Sequence, residues 1–360
     1  MNRALNFNAG PAVLPDEVLK AAEANWLNFN GSGMAIMELS HRSKEYEAVH
    51  NQAKNSLRKL LGFPDNYEVL FLQGGASLQF SMVPMNLLTE GKIGNYILSG
   101  VWSEKALQEA NKIGQTNIVS SSKDENYRSI PPLQLDALAE NTAYLHITSN
   151  NTIYGTQWQS FPEIENYPLI ADMSSDILSK KINFEHFDLI YAGAQKNLGP
   201  SGVTVVIINK DLLASSNENL PTMLNYNTYA KNNSLYNTPP TLSIYLLKLV
   251  LDWVEDIGGL EAIEKKNDEK AKVLYDCIDE SEGFYIGHAS TESRSKMNVT
   301  FNLQDEETTK KFLQKAKEAG FIGLNGHRSI GGCRASIYNA MPLEHVCQLV
   351  DFMNKFRKNS

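Results

Sequence analysis

FDLIYAGAQKNLGPSGVTVVII, residues 187–208, consists of two apolar runs with a lysine between them. Phe187–Ala192 reads as one strand and Val203–Asn209 as another. The segment between them is rich in small residues and is turned by Gly199-Pro200. Runs so nearly continuous in apolar residues suit strands buried on both faces. YEVLFL (67–72) and PLIAD (168–172) have the same character, and Glu68–Leu72 and Leu169–Asp172 read as strands, with Asn95–Leu98 and Thr142–Thr148 between them in the chain. Helical patterns alternate with these strands. One stripe runs from Tyr46 through Val49, Ala53, Leu57, Leu60 and Leu61 and stops at Gly62-Phe63-Pro64. Leu78–Leu88, Ser103–Ile113 and Ser243–Asp256 are further helices. Such alternation specifies an α/β fold with a mostly parallel sheet.

A chain of 360 residues exceeds one ordinary core, and two domains are expected. After Gly258-Gly259 the composition turns charged, as in KKNDEKAK (265–272). That places a large domain at 16–258 and a small one at 259–360, joined by the extended arm 1–15. With 42% hydrophobic and 21% charged residues the chain reads as a packed globular protein. Its formal charge of −8 leaves no basic footprint for nucleic acid or an acidic membrane. Cys277, Cys333 and Cys347 are odd in number and lack metal-ligand spacing, which reads as reduced cytoplasmic thiols with no metal site. No run is long enough to cross a bilayer, and MNRALNFNAGPAVLP carries no apolar leader pattern.

Three features point to chemistry. An isolated Lys196 would most simply be a solvated loop residue. Asp172, however, stands at the end of a strand, where open α/β sheets bind ligands. Gly74-Gly75-Ala76-Ser77 precedes a helix, and free N–H groups at a helix N-terminus attract anions. A lysine, a strand-end carboxylate and a phosphate cradle are what pyridoxal phosphate requires. Its aldehyde forms a Schiff base with an amine, its ring nitrogen takes an acidic partner, and its phosphate takes a helix N-terminus. The glycine pair fits neither the dinucleotide fingerprint nor the P-loop pattern.

NFNAGPAVLP (6–15), MELSHRSKE (37–45), GGASLQF (74–80), YAGAQKNLGPSG (191–202), YNTPPT (236–241) and GHRSIGGCRASIYNAMP (326–342) resemble, in order along the whole chain, the phosphoserine aminotransferase family. The resemblance implies a fold-type I, class-V, pyridoxal-phosphate-dependent transaminase. Its large domain would carry a mostly parallel seven-stranded sheet beside a smaller α+β C-terminal domain, and the protein would be a homodimer with shared active sites. The implied reaction exchanges an amino group between phosphoserine and 2-oxoglutarate, giving 3-phosphohydroxypyruvate and glutamate in serine biosynthesis. The resemblance does not decide whether 4-phosphohydroxythreonine, of pyridoxine biosynthesis, is also used. Carried over residue by residue, Lys196 would bond the cofactor aldehyde and Asp172 would face the ring nitrogen. Trp102 would stack on the ring and Thr152 would lie near its hydroxyl. Ala76, Ser77 and Gln195 would hold the phosphate, with Asn237 and Thr238 from the other subunit. Arg334 would take the α-carboxylate. His327 and Arg328, with His41 and Arg42 of the partner subunit, would take the far anionic group. Arginine forks suit such anions.

One departure stands out. Some family members place an arginine in the glycine-rich segment where this chain reads Gly75-Ala76-Ser77. The remaining cations must then carry more of the discrimination. Three other readings compete. A cysteine desulfurase needs a mobile catalytic cysteine, and Cys333 has no flanking signature for one. A nicotinamide dehydrogenase needs the fingerprint that is missing. A non-enzymatic protein on this fold would be expected to lose Lys196 or Asp172, and both are present.

Overall fold

The computed structural model describes residues 3–360. In chain order, β1 (Leu5–Asn6) precedes α1 (Asp16–Ala24), α2 (Lys44–Leu61), β2 (Tyr67–Leu72), α3 (Gly75–Leu87), β3 (Ile93–Leu98), α4 (Val101–Ala110) and β4 (Gln115–Ser121). Next come β5 (Thr142–Thr148), the short pair β6 (Asn150–Asn151) and β7 (Thr156–Gln157), β8 (Leu169–Asp172), β9 (Leu189–Gly193) and β10 (Thr204–Asn209). The short helices α5 (Lys210–Ala214) and α6 (Tyr226–Lys231) lead to the long α7 (Thr241–Asp256) and α8 (Gly259–Asp279). The rest comprises β11 (Tyr285–Gly287), β12 (Asn298–Leu303), α9 (Glu306–Glu318), β13 (Phe321–Ile322), β14 (Cys333–Ser336) and α10 (Leu343–Lys358).

Seven strands form the main sheet in the order β2-β10-β9-β8-β5-β3-β4, and β10 alone runs antiparallel to its neighbours. Alternate residues along each strand feed two cores, which explains the unbroken apolar runs. Val69, Phe71, Ile190, Ala192, Val205 and Ile207 pack against α2, α7 and the start of α8. Leu70, Leu72, Leu189, Tyr191, Val206 and Ile208 pack on the other face with α3 to α6. The stripe expected from Tyr46 to Leu61 is the buried face of α2. Ser43 caps that helix through Tyr46 N–H, and Gly62, at φ 70°, ends it. Only glycine takes that left-handed position at little cost.

A smaller C-terminal part has its own core, in which Leu274, Val299, Phe301, Phe312, Leu349 and Met353 meet. Phe7 and Val13 of the N-terminal arm join that core, and β1 pairs with β13. A seam of buried polar groups ties this part to the main sheet. Asn150 Nδ2 donates to Asn298 Oδ1 at 2.8 Å, Asn298 donates to the Tyr338 hydroxyl at 3.1 Å, and that hydroxyl donates to Ala9 O at 2.7 Å. Among the described residues, no helix is long and apolar enough to cross a membrane.

Candidate active site

Because β2, β3, β5, β8 and β9 run parallel, their C-terminal ends lie along one edge of the sheet. That edge is where the chain leaves each strand for a loop, and where open α/β sheets bind ligands. The glycine turn follows β2, Trp102 follows β3, Thr152 follows β5, Asp172 ends β8, and Lys196 follows β9.

Asp172 sits between Thr148 and Tyr191 in the strand register and is 6% exposed. Burial raises its pKa; the Lys196 charge and the Ser174 donors oppose this. Lys196 is affected in the reverse sense. Burial lowers its pKa, Asp172 raises it, and Arg334 lowers it again. Removing charge from water disfavours the ion, so the neutral amine of Lys196 is made accessible. Gly10 of the arm closes one side of this lysine: a Cβ there would stand 3.5 Å from Lys196 Cγ. Ala12 N–H donates to Gln195 O at 2.9 Å.

Trp102 is fixed by its indole N–H, which donates to Thr152 Oγ1 at 3.0 Å. Lys196 Nζ lies 5.8 Å from the centroid of the Trp102 ring. Arg334 Nη1 donates to Thr152 O at 3.0 Å, and Arg334 Nε is buried without a partner. His327 begins a tight turn, with Nδ1 against Ser329 Oγ at 2.7 Å. Its pKa is lowered by burial first, then by the charges of Arg334, Arg328 and Lys105.

Gly74 and Gly75 both take positive φ, 86° and 66°, and present the first turn of α3. A Cβ on Gly74 would come within 2.6 Å of Leu78 Cδ2. At the start of this helix, the N–H groups of Ala76 and Ser77 have no partner within the helix. A phosphate oxygen fits that donor pattern.

Four of the expected residues come from loops other than those that follow the parallel strands. His41 and Arg42 lie in the turn before α2, and no hydrogen bond or ion pair among the described residues joins them to Lys196, Asp172 or Arg334. Asn237 and Thr238 lie in the loop before α7; there Thr238 O accepts from Gln73 Nε2 at 3.3 Å. Large apolar side chains are exposed beside both pairs. Trp26, Leu27 (81% exposed), Met34 and Met37 precede His41, and Tyr236 precedes Asn237.

Sequence reasoning passed over a second buried acid, Asp176. Ser149 donates to its Oδ1, Gln157 Nε2 lies 3.0 Å from its Oδ2, and burial pushes its pKa up to about 6. The signal was present in DMSSD (172–176), where an acid recurs four residues after Asp172. Cys333 is fully buried on β14, and burial pushes its thiol pKa well up, so no mobile thiolate is presented. Among the described residues, no grouping of His, Cys, Asp and Glu suits a metal ion.

A half-buried amine, a buried carboxylate whose charge acts on it, an aromatic wall and an open helix N-terminus meet on one sheet edge. The aminotransferase class-V signature spans residues 4–349, and the chain belongs to that family. It is 65% identical over 360 residues to the phosphoserine aminotransferase of Geobacillus kaustophilus (strain HTA426), covering 99% of each chain. A solved phosphoserine aminotransferase, described for radiation damage of its Schiff base, superposes at a TM-score of 0.97 with 62% identity and 100% of both chains covered. The PLP-bound phosphoserine aminotransferase of Trichomonas vaginalis superposes at 0.92 with 40% identity, over 98% of this chain and 100% of the other. Within class V the chain is thus a member of the phosphoserine aminotransferases.

Proposed function

We propose that the enzyme moves the amino group of O-phospho-L-serine to 2-oxoglutarate, reversibly, with pyridoxal phosphate in the site described above. The observation that carries this is the juxtaposition of Lys196 with Asp172 under Trp102, at the sheet edge where α3 begins. The residues present fit the group: Ala76, Ser77 and Gln195 for its phosphate, Thr152 and Asp172 for its ring, and Lys196 for its aldehyde. When bound, pyridoxal phosphate supplies an electrophilic carbon and a protonated ring that withdraws electrons from the substrate Cα.

The remaining work falls to the chain. Arg334 holds the α-carboxylate. Lys196 Nζ, whose neutral form burial favours, would take the Cα proton and deliver it to the former aldehyde carbon of the cofactor. Asp172, whose anionic form Lys196 and the Ser174 donors favour against burial, would pair with the protonated ring nitrogen. Trp102 excludes water from one face. His327 and Arg328, together with His41 and Arg42 of the partner subunit, hold the phosphate of one substrate and the side-chain carboxylate of the other. This assignment requires a homodimer. The exposed apolar side chains beside His41 and Asn237 give a second copy a surface to bury, and the partner would then contribute His41, Arg42, Asn237 and Thr238 to the site. A cytoplasmic location belongs to the same reading; the three cysteines are unpaired.

The test is the visible absorption spectrum of the purified holoenzyme. Phosphoserine should convert the cofactor band to that of the amine form, and 2-oxoglutarate should restore it. A band indifferent to phosphoserine would overturn the substrate assignment, and no band at all would overturn the cofactor.

A further inference from the structure

We propose that Lys105 is a specificity-determining cation of this site, favouring a substrate whose far group is a doubly charged phosphate over one ending in a carboxylate. The inference rests on the reading of the site given above. Lys105 stands on α4, one turn beyond Trp102, and its Nζ lies 4.7 Å from the centroid of the Trp102 ring. Lys196 Nζ lies 5.8 Å from that same centroid. Through Trp102 and Thr152, Lys105 therefore shares a neighbourhood with Arg334.

Its charge is uncommitted. Among the described residues no carboxylate lies within ion-pair distance of Lys105. The adjacent Glu104 is engaged elsewhere, by Lys123 at 2.7 Å and by the Tyr127 hydroxyl at 2.7 Å. Lys105 also joins Arg334 and Arg328 in lowering the pKa of His327, so its field reaches the cationic space. Three cations, Lys105, Arg328 and Arg334, thus act on His327, while the glycine turn at Gly75-Ala76-Ser77 adds no charge.

Coulomb energy scales with the product of charges. A phosphate monoester near neutral pH carries almost twice the charge of a carboxylate. A cation added to the rim therefore aids the phosphate-bearing pair more than it aids glutamate and 2-oxoglutarate. Because Lys105 is exposed, water screens it, and the expected effect is only about fivefold.

Steady-state kinetics of the holoenzyme in both directions test this, with cofactor loading checked by absorption. Lys105→Met should raise KM about fivefold for phosphoserine and 3-phosphohydroxypyruvate. It should leave kcat, and KM for glutamate and 2-oxoglutarate, within about twofold. Lys105→Arg should restore the wild-type pattern. Equal rises in all four KM values, or no change in any, would overturn the proposal. A fall in kcat at constant KM would overturn it too, by making Lys105 only a support for Trp102. Failure of the wild-type enzyme to turn over phosphoserine would refute the parent reading, whereas normal wild-type turnover with an unchanged variant refutes Lys105 alone.

Discussion

Ser174 donates to the Asp172 carboxylate twice, from its backbone N–H at 2.9 Å and from its hydroxyl at 2.6 Å. Burial raises the proton affinity of Asp172, and these two donors push the other way. Asp172→Asn should leave a folded protein with severely reduced turnover, because an amide cannot keep a ring nitrogen protonated by charge. Ser174→Ala removes one donor, and a loss of roughly tenfold in kcat is expected. Full activity in Asp172→Asn, with a normal circular dichroism spectrum, would demote the carboxylate to a structural role.

Asp176 links acidity to stability. Its pKa rises from an ordinary 3.8 to about 6 on burial, so the folded state holds this proton more tightly than the unfolded chain. Stability from this group is therefore fully present below pH 3.8 and lost as pH climbs through about 6, by about 3 kcal/mol. Asp176→Asn should raise Tm by a few degrees at pH 8 and by nothing near pH 4. Thermal melts across that range check the sign; a variant less stable at pH 8 than the wild type contradicts it.

Subunit exchange tests the shared site. Arg42→Ala and Lys196→Ala should each be nearly inactive. When mixed and allowed to exchange, about half the dimers become hybrids, each with one intact site, and activity should recover to roughly a quarter of wild type. Verified heterodimers as inactive as their parents would place Arg42 in its own chain's site.

The thiols should differ in reactivity. Cys277 and Cys333 are buried; burial moves the Cys277 pKa up to about 11 and that of Cys333 higher still. Since the thiolate is the nucleophile, Cys347 should alkylate first in the native protein. Mass spectrometry of partly alkylated enzyme reads this directly, and early labelling of Cys333 would reopen the desulfurase reading.

The sequence made the central strands and the helices packed on them readable. Continuous burial leaves unbroken apolar runs in β2, β8, β9 and β10, and α2 was marked by both its stripe and Gly62. β4 was not readable, because Gln115–Ser121 forms a sheet edge and QTNIVSS has mixed exposure with no apolar run. The reversal of β10 was implicit in the Lys196 loop. The segment 194–203 contains no helix and is too short for a parallel crossover. Lys196, Asp172 and the glycine turn announced themselves by residue type at strand ends. Asp176 and Lys105 did not, since one depends on burial and the other on its approach to a ring from a helix, and neither leaves a spacing in the sequence.

β1 pairs Leu5 with Phe321, and the arm that continues from it brings Gly10 against Lys196. During synthesis the arm emerges long before β13, so its docking strand does not yet exist while the main sheet assembles. The wall beside Lys196 is thus among the last parts of the site to close, and a nascent chain that stops short of residue 322 has its lysine and carboxylate but no finished pocket. This long-range pairing adds to the sequence separation the fold must bridge, which slows its final step. It also ties the competence of the enzyme to completion of the chain.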